Sequence, residues 1–161
     1  MAETSADVVR RYLAHAIVAE KSVETQLNGF AKDAESVTAK TVFEQHALET
    51  KKQYERLTER LESLGGSVSG TNTLLSSIFG FKPSAAHLGR EGEAHTTQDL
   101  ILAFAAENGA LAMYEVLAAI AEAAGDPETA ALARSLQIEE KAATEELWQL
   151  LSIDHAKTAM V

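Results

Sequence analysis

Four long stretches of the chain carry apolar residues at the three- and four-residue spacing of an amphipathic helix. Glycine and proline separate them: Gly65 and Gly66 end the second stretch, Gly125 ends the third, and Pro127 suits the first turn of the fourth. Few residues alternate with the period of two that a strand requires, so the pattern predicts an all-α protein. The predicted helices span residues 5–33, 36–64, 96–124 and 127–151.

The connection between the second and third predicted helices, residues 65–95, is much longer than the other two turns. A long connection inside one compact domain needs a structural reason. A crossover along the bundle would leave the second and third helices parallel, as in ferritin-like bundles, whereas an up-down-up-down bundle has no crossover. We therefore predict one domain, residues 1–161, with the fold of a ferritin-like four-helix bundle. An apolar segment at 73–81 predicts a short extra helix within the crossover.

Acidic and imidazole side chains interrupt the apolar stripes near the middle of the helices. Glu20 and Glu24 fall at the centre of the first stripe, and Glu107 lies near the centre of the third. The polar residues at the flanks of the second and fourth stripes are His46, Glu49, Glu139 and Glu140. Buried carboxylates are unfavourable unless they are protonated, paired or bound to a cation. Either they reach solvent at the stripe edges, or the four helices supply ligands to a pair of metal ions.

Helical rise adds a second test of that metal site. At about 1.5 Å per residue, Glu20 and His46 lie at similar heights above the turn that joins the first and second helices. Glu107 and Glu139 lie at different heights above the turn that joins the third and fourth helices. The chain has no cysteine, so any metal would take oxygen and nitrogen ligands, which suit iron, manganese or zinc. Tyr114 lies on a face similar to that of Glu107. It could hydrogen-bond beside the site, but we favour a core tyrosine with its hydroxyl at the rim.

The formal net charge of −10 disfavours binding to nucleic acid or to anionic membrane. The chain has no unbroken run of about 18 apolar residues, so we expect no membrane span. The first residues are polar and acidic and lack the basic and apolar regions of a signal peptide. These features lead us to expect a cytoplasmic protein without nucleic-acid or membrane partners.

Several ordered segments resemble the YciE/YciF-type ferritin-like proteins, a bacterial family linked to stress response. They include residues 12–21, residues 43–50, Leu64-Gly65-Gly66 and residues 139–143. The resemblance implies a fold similar to rubrerythrin and ferritin, a homodimer, and two metal ions, iron or manganese. Carried over to this chain, it implies the metal ligands Glu20, His46, Glu49, Glu107 and either Glu139 or Glu140.

The chain departs from the Glu-x-x-His pattern of well-known dinuclear bundles. The second helix has the reverse order, His46 before Glu49, and Ala110 stands three residues after Glu107. We expect a dimetal-binding, stress-related protein whose metals react with oxygen or peroxide. The alternative is a non-catalytic structural or interaction bundle with a degenerate or empty site. Iron storage in a cage is a third hypothesis.

Overall fold

Four long helices form the protein, which we describe from a computed structural model covering residues 3–68 and 93–158, with side chains at 3–68 and 95–152. The helices are α1 (Ser5–Asp33), α2 (Val37–Ser63), α3 (Glu93–Ala124) and α4 (Pro127–Thr158). The all-α prediction is confirmed, although α3 begins earlier and α4 ends later than the sequence pattern predicts. The expected short helix at 73–81 lies outside the described residues.

Side chains at the helix N-termini fix where three of the helices begin. Thr4 and Asp7 form a capping box, in which each side chain accepts a hydrogen bond from the other residue's backbone N–H. Ser36 accepts the backbone N–H of Ala39 at 3.3 Å, and Asp126 accepts that of Thr129 at 3.0 Å. Each cap satisfies a donor that has no partner within its helix.

Glycine ends α2 and α3. Gly65 and Gly125 adopt left-handed φ angles of 72° and 74°, a region that costs any other residue conformational strain. The N–H of Gly66 then donates to the carbonyl of Leu61, and the N–H of Asp126 donates to that of Ala121, each at 2.9 Å. Both helices therefore stop in the Schellman arrangement, and the chain turns sharply into the next segment.

Contacts between helices define the topology of the bundle. α1 packs along α2, α3 packs along α4, and α1 also lies against α3. Arg60 near the end of α2 pairs with Asp126 just before α4, and His46 near the start of α2 lies beside Glu146 late in α4. Helices α2 and α4 are therefore antiparallel, and α2 is parallel to α3, as the crossover prediction requires.

Two apolar clusters fill the core, one toward each end of the bundle. The first includes Leu27, Phe30, Phe43, Leu100 and Leu147, and the second includes Leu13, Ile17, Leu57, Leu117 and Leu136. In each helix the residues of one cluster are followed by buried polar residues and then by residues of the other. The core is thus divided by a layer of polar side chains at mid-height.

Helix α3 is long and apolar enough to cross a membrane by length and composition alone, the one such helix in the described part of the chain. Glu107 and Asn108 interrupt its apolar run. A core helix meets the same criterion, and α3 supplies Leu100, Tyr114 and Leu117 to the core.

Candidate metal centre

Each of the four helices contributes to the polar layer, which we define as Glu20, His46, Gln53, Glu107 and Glu140. Glu20 is 0%, His46 1%, Glu107 2% and Glu140 1% exposed to solvent. The residues succeed apolar cluster members along each helix, so the same 3.6-residue period that buries the leucines buries these acids. The layer therefore collects three carboxyl groups and one imidazole in the dry interior.

Hydrogen bonds connect these groups in pairs. The hydroxyl of Tyr114 donates to Oε1 of Glu20 at 2.5 Å. Glu107 and Glu140 share a hydrogen bond with each other, and Nδ1 of His46 lies 3.3 Å from Oε1 of Glu107. Tyr114 is itself fully buried, so the interpretation that its hydroxyl lies at the rim is wrong.

Burial controls the ionisation of the carboxyl groups. Loss of hydration raises the pKa of Glu20 well above its ordinary value, and the charge of Glu140 adds to this shift. Burial likewise raises the pKa of Glu107 to about 7 and that of Glu140 to about 11. The hydrogen bond between them opposes the rise at Glu107 and adds to it at Glu140.

The donor chemistry of the layer fits a divalent transition metal, since carboxylate oxygen and imidazole nitrogen are its usual protein ligands. Two carboxyl oxygens, Oε2 of Glu20 and Oε2 of Glu140, are buried without a hydrogen-bond partner among the described residues. Oε1 of Gln53 is a third such atom. Such atoms are unfavourable unless something occupies the space beside them. Nevertheless, no group of three or more histidine, aspartate or glutamate side chains in the described segments is close enough to hold an ion.

Two side chains of α2 link the interior to the surface. His46 spans from Glu107 to the exposed Glu146, whose Oε2 lies 3.1 Å from Nε2 of the ring. Gln53 contacts the buried Glu140 and donates from Nε2 to Oε2 of the exposed Glu139 at 3.4 Å. A single α2 side chain therefore separates each of these buried carboxyl groups from a surface carboxylate: His46 separates Glu107 from Glu146, and Gln53 separates Glu140 from Glu139.

Other predicted site residues lie outside the layer. Glu49 is exposed and accepts a hydrogen bond from Gln45, although its charge helps to raise the pKa of Glu107. Glu139 is exposed and paired with Arg56 at 2.6 Å. Glu24 is half-buried and accepts a hydrogen bond from Tyr54. Of the two fourth-helix candidates, Glu140 is the one that meets the other buried acids. Glu140 is hydrogen-bonded to Glu107, so the height difference expected between Glu107 and the fourth-helix candidate does not separate these two residues. The ligand roles themselves remain predictions.

Sequence reasoning missed Gln53 and Glu146. Gln53 follows His46 by seven residues, two helical turns along the same face, so a buried polar stripe was available as a signal. Glu146 stands on the exposed flank of α4, where one glutamate cannot be distinguished from any other by its spacing. Only the contact with His46 distinguishes it.

The fold and the buried carboxyl layer define the class: this is a ferritin-like four-helix bundle. The chain belongs to the family described as a domain of unknown function, DUF892, whose model matches residues 5–159. The resemblance to YciE/YciF-type ferritin-like proteins is thereby confirmed. No curated protein sequence matches the chain significantly.

Solved structures agree with this class. The E. coli stress protein YciF is 24% identical with a TM-score of 0.81, covering 97% of this chain and 99% of its own. YcfI from Rhodopseudomonas palustris is 26% identical with a TM-score of 0.79, covering 89% and 92%. A ferritin-like, diiron-carboxylate protein from Bacillus anthracis is 18% identical with a TM-score of 0.74, covering 94% and 99%.

Proposed function

We propose that this ferritin-like protein binds two iron or manganese ions in its polar layer. The ligands would be Glu20, His46, Glu107 and Glu140. One observation carries the proposal: every helix buries one ligand-type side chain at the same level, and two of their carboxyl oxygens have no hydrogen-bond partner in the described part of the chain. The similarity to a diiron-carboxylate protein from Bacillus anthracis supports the same assignment.

The chain's own residues would prepare the layer for cations. The three carboxylates would offset most of the charge of two divalent ions, and Tyr114 holds Glu20 in one orientation through its hydroxyl. The apolar clusters on both sides exclude water from the layer. A bound, reduced pair of such ions supplies reactivity toward dioxygen or peroxide. A stress-related role is proposed from the similarity to the E. coli stress protein YciF.

Metal analysis of protein purified without chelator tests this proposal. Cells grown with ample iron and manganese should give two equivalents of metal per chain. Glu20→Ala and Glu107→Ala should lose them, whereas Glu44→Ala, which removes an exposed acid of α2, should retain them. Absence of stoichiometric metal from the folded wild-type protein would refute the proposal.

A non-catalytic bundle is the second candidate, and the paired hydrogen bonds of the layer favour it. Tyr114 with Glu20, and Glu107 with Glu140, are hydrogen-bonded to each other without a cation. Thermal melting separates the two candidates, because a metal that binds only the folded state raises the midpoint. An unchanged midpoint with saturating manganese, in protein first treated with chelator, would favour the second candidate.

The outward face of α3 supports a homodimer, which we also propose. Ile101 is 50% and Val116 46% exposed, and Ala105 and Ala112 lie between them on the same side. Light scattering after size exclusion should give twice the chain mass of 17.3 kDa, and Ile101→Glu should reduce it to one chain. A mass of one chain for the wild type would refute the dimer, and a much larger mass would support a cage.

We further propose a cytoplasmic location for the protein. The chain has no cysteine that would benefit from an oxidising compartment. Fractionation of the source cells, with a marker for each compartment, should recover the protein with the cytoplasmic marker. Recovery with the membrane fraction would instead point to a membrane role for α3.

A further inference from the structure

A groove of about 370 Å³ lies on the surface between α2 and α4, directly outside the polar layer. Three carboxylates line it, together with one amide and two alanines. These lining residues, called the acidic groove below, are Gln45, Glu49, Glu139, Ala142, Ala143 and Glu146. Helices α2 and α4 contact each other sparsely compared with the other adjacent pairs. The methyl groups of Ala142 and Ala143 leave the space between them open.

The acidic groove is connected to the layer by contacts at both ends. Glu146 touches His46, which is 1% exposed and reaches Glu107 with its other ring nitrogen. Glu139 accepts from Gln53, which is 3% exposed and contacts Glu140. Only one side chain therefore separates each surface carboxylate from a buried carboxyl group.

Gln53 provides an observation independent of the acidic residues. Its Nε2 atom is bonded to Glu139 in the groove, while its Oε1 atom is buried and has no hydrogen-bond partner among the described residues. The unpartnered amide oxygen of a side chain that is bonded to the groove is an additional neutral oxygen ligand for a cation. The groove is therefore an acidic surface connected to an unused oxygen acceptor.

We propose that the acidic groove is the access route by which hydrated divalent cations reach the polar layer. This inference rests on the proposed function, because it concerns how that same site is filled. Glu49 and Glu146 attract the cation at the surface, and their charge raises its local concentration. The cation replaces the contact between Glu146 and His46, and it then passes His46 and Gln53 to the buried carboxyl groups.

The other sides of the layer are less suited to this passage. α1 packs closely along α2, α3 packs along α4, and α1 also lies against α3, with leucine and phenylalanine above and below the layer. A hydrated cation would have to separate those apolar contacts. At the acidic groove it meets carboxylate, imidazole and amide groups instead of apolar side chains.

Cobalt(II) uptake by metal-free, full-length protein tests the route, because its visible absorption changes when protein ligands replace water. Glu146→Gln and Glu49→Gln each remove one charge from the groove. Their matched controls are Glu145→Gln and Glu44→Gln, exposed neighbours on the same helices that do not line it. In stopped flow at low ionic strength, we expect each groove variant to take up cobalt about 3- to 10-fold more slowly than its control, with the same final amount bound. Added salt should slow the wild type and reduce this difference.

Each outcome has a separate meaning. Groove variants that load as fast as their controls would overturn the access route while leaving the metal site intact. Loss of bound cobalt at equilibrium in Glu146→Gln or Glu49→Gln would also overturn it, because the residue would then be a ligand of the site. A wild-type protein that binds no cobalt would instead overturn the proposed function itself.

Discussion

The hydroxyl of Tyr114 donates a hydrogen bond to Oε1 of Glu20 at 2.5 Å, between two helices and out of contact with solvent. α1 and α3 meet at this point, and no other donor to that carboxyl group is present among the described residues. The tyrosine thus provides a hydrogen-bond donor to one oxygen of a buried carboxyl group. Its second oxygen is the one available to a cation.

Removing this hydroxyl should destabilise the metal-free protein. Tyr114→Phe leaves a buried carboxyl oxygen without a donor, and we expect a loss of about 1–3 kcal/mol in the free energy of unfolding. Glu20→Met removes the acceptor while roughly preserving volume. The loss of unfolding free energy in the double variant should be smaller than the sum of the losses in the two single variants. We expect a difference of at least about 0.5 kcal/mol, measured by urea denaturation. Strict additivity would mean that the hydrogen bond does not stabilise the fold.

Stability of the metal-free protein should fall as the pH rises above about 5. Burial raises the pKa of Glu107 to about 7 and of Glu140 to about 11, whereas both sit near 4.5 in the unfolded chain. The folded protein therefore binds more protons than the unfolded one, and this contribution is complete below about pH 4.5 and is lost as the pH rises through the folded values. Chelator-treated protein should have a lower free energy of unfolding at about pH 8 than at about pH 5.5.

Glu140→Gln is the variant that assigns this pH dependence. A neutral amide replaces a buried carboxyl group whose pKa is raised, so we expect a flatter profile. At about pH 8 the variant should be more stable than the wild type by at least about 1 kcal/mol. Exposed Glu145→Gln on the same helix should leave the profile unchanged. A wild-type stability that increases across this range would contradict the assignment of protons.

The start of α4 should depend strongly on Asp126. This side chain caps the helix through Thr129 and pairs with Arg60 of α2 at 2.7 Å, with both partners mostly buried. Asp126→Ala should cost about 1–2 kcal/mol from the lost cap, and more because Arg60 loses a partner. Glu128 also pairs with Arg60 but its side chain is 77% exposed, so Glu128→Ala should cost less than about 1 kcal/mol. Equal losses in thermal unfolding would contradict this ranking.

The fold was predictable because its determinants are local. Glycines at 65 and 125 and Pro127 lie where helices stop and start, and the unequal connection lengths fix which helices are parallel. Helix ends were less certain: α3 extends into the connection and α4 continues past residue 151, where no breaker residue intervenes.

The candidate site was only partly predictable. Glu20 and Glu107 lie on stripe centres and are buried, as the pattern indicates. His46 is also fully buried, although the pattern places it off the centre of the apolar stripe. Thr50 and Gln53 are buried on the same face but are polar, so a stripe drawn through apolar residues alone is centred away from this face. Neighbouring Glu139 and Glu140 could not be separated by spacing, since a rotation of half a residue step decides which one enters the core.

Contacts between helices distant in sequence were beyond prediction from periodicity. The hydroxyl of Tyr114 reaches Glu20 only because α1 and α3 are adjacent, and Glu146 reaches His46 only because α2 and α4 are antiparallel. Periodicity assigns a residue to a face, but the partner on the facing helix depends on the relative heights of the two helices. Those heights are set by packing rather than by turn length alone.

A crystal structure of the protein grown with manganese, recorded with anomalous scattering, tests the central claim most directly. We expect two anomalous peaks in the polar layer, each contacted by carboxylate oxygens of Glu20, Glu107 or Glu140, with His46 as the nitrogen ligand. A well-ordered layer without anomalous peaks, with Tyr114 still bonded to Glu20 and Glu107 to Glu140, would contradict it.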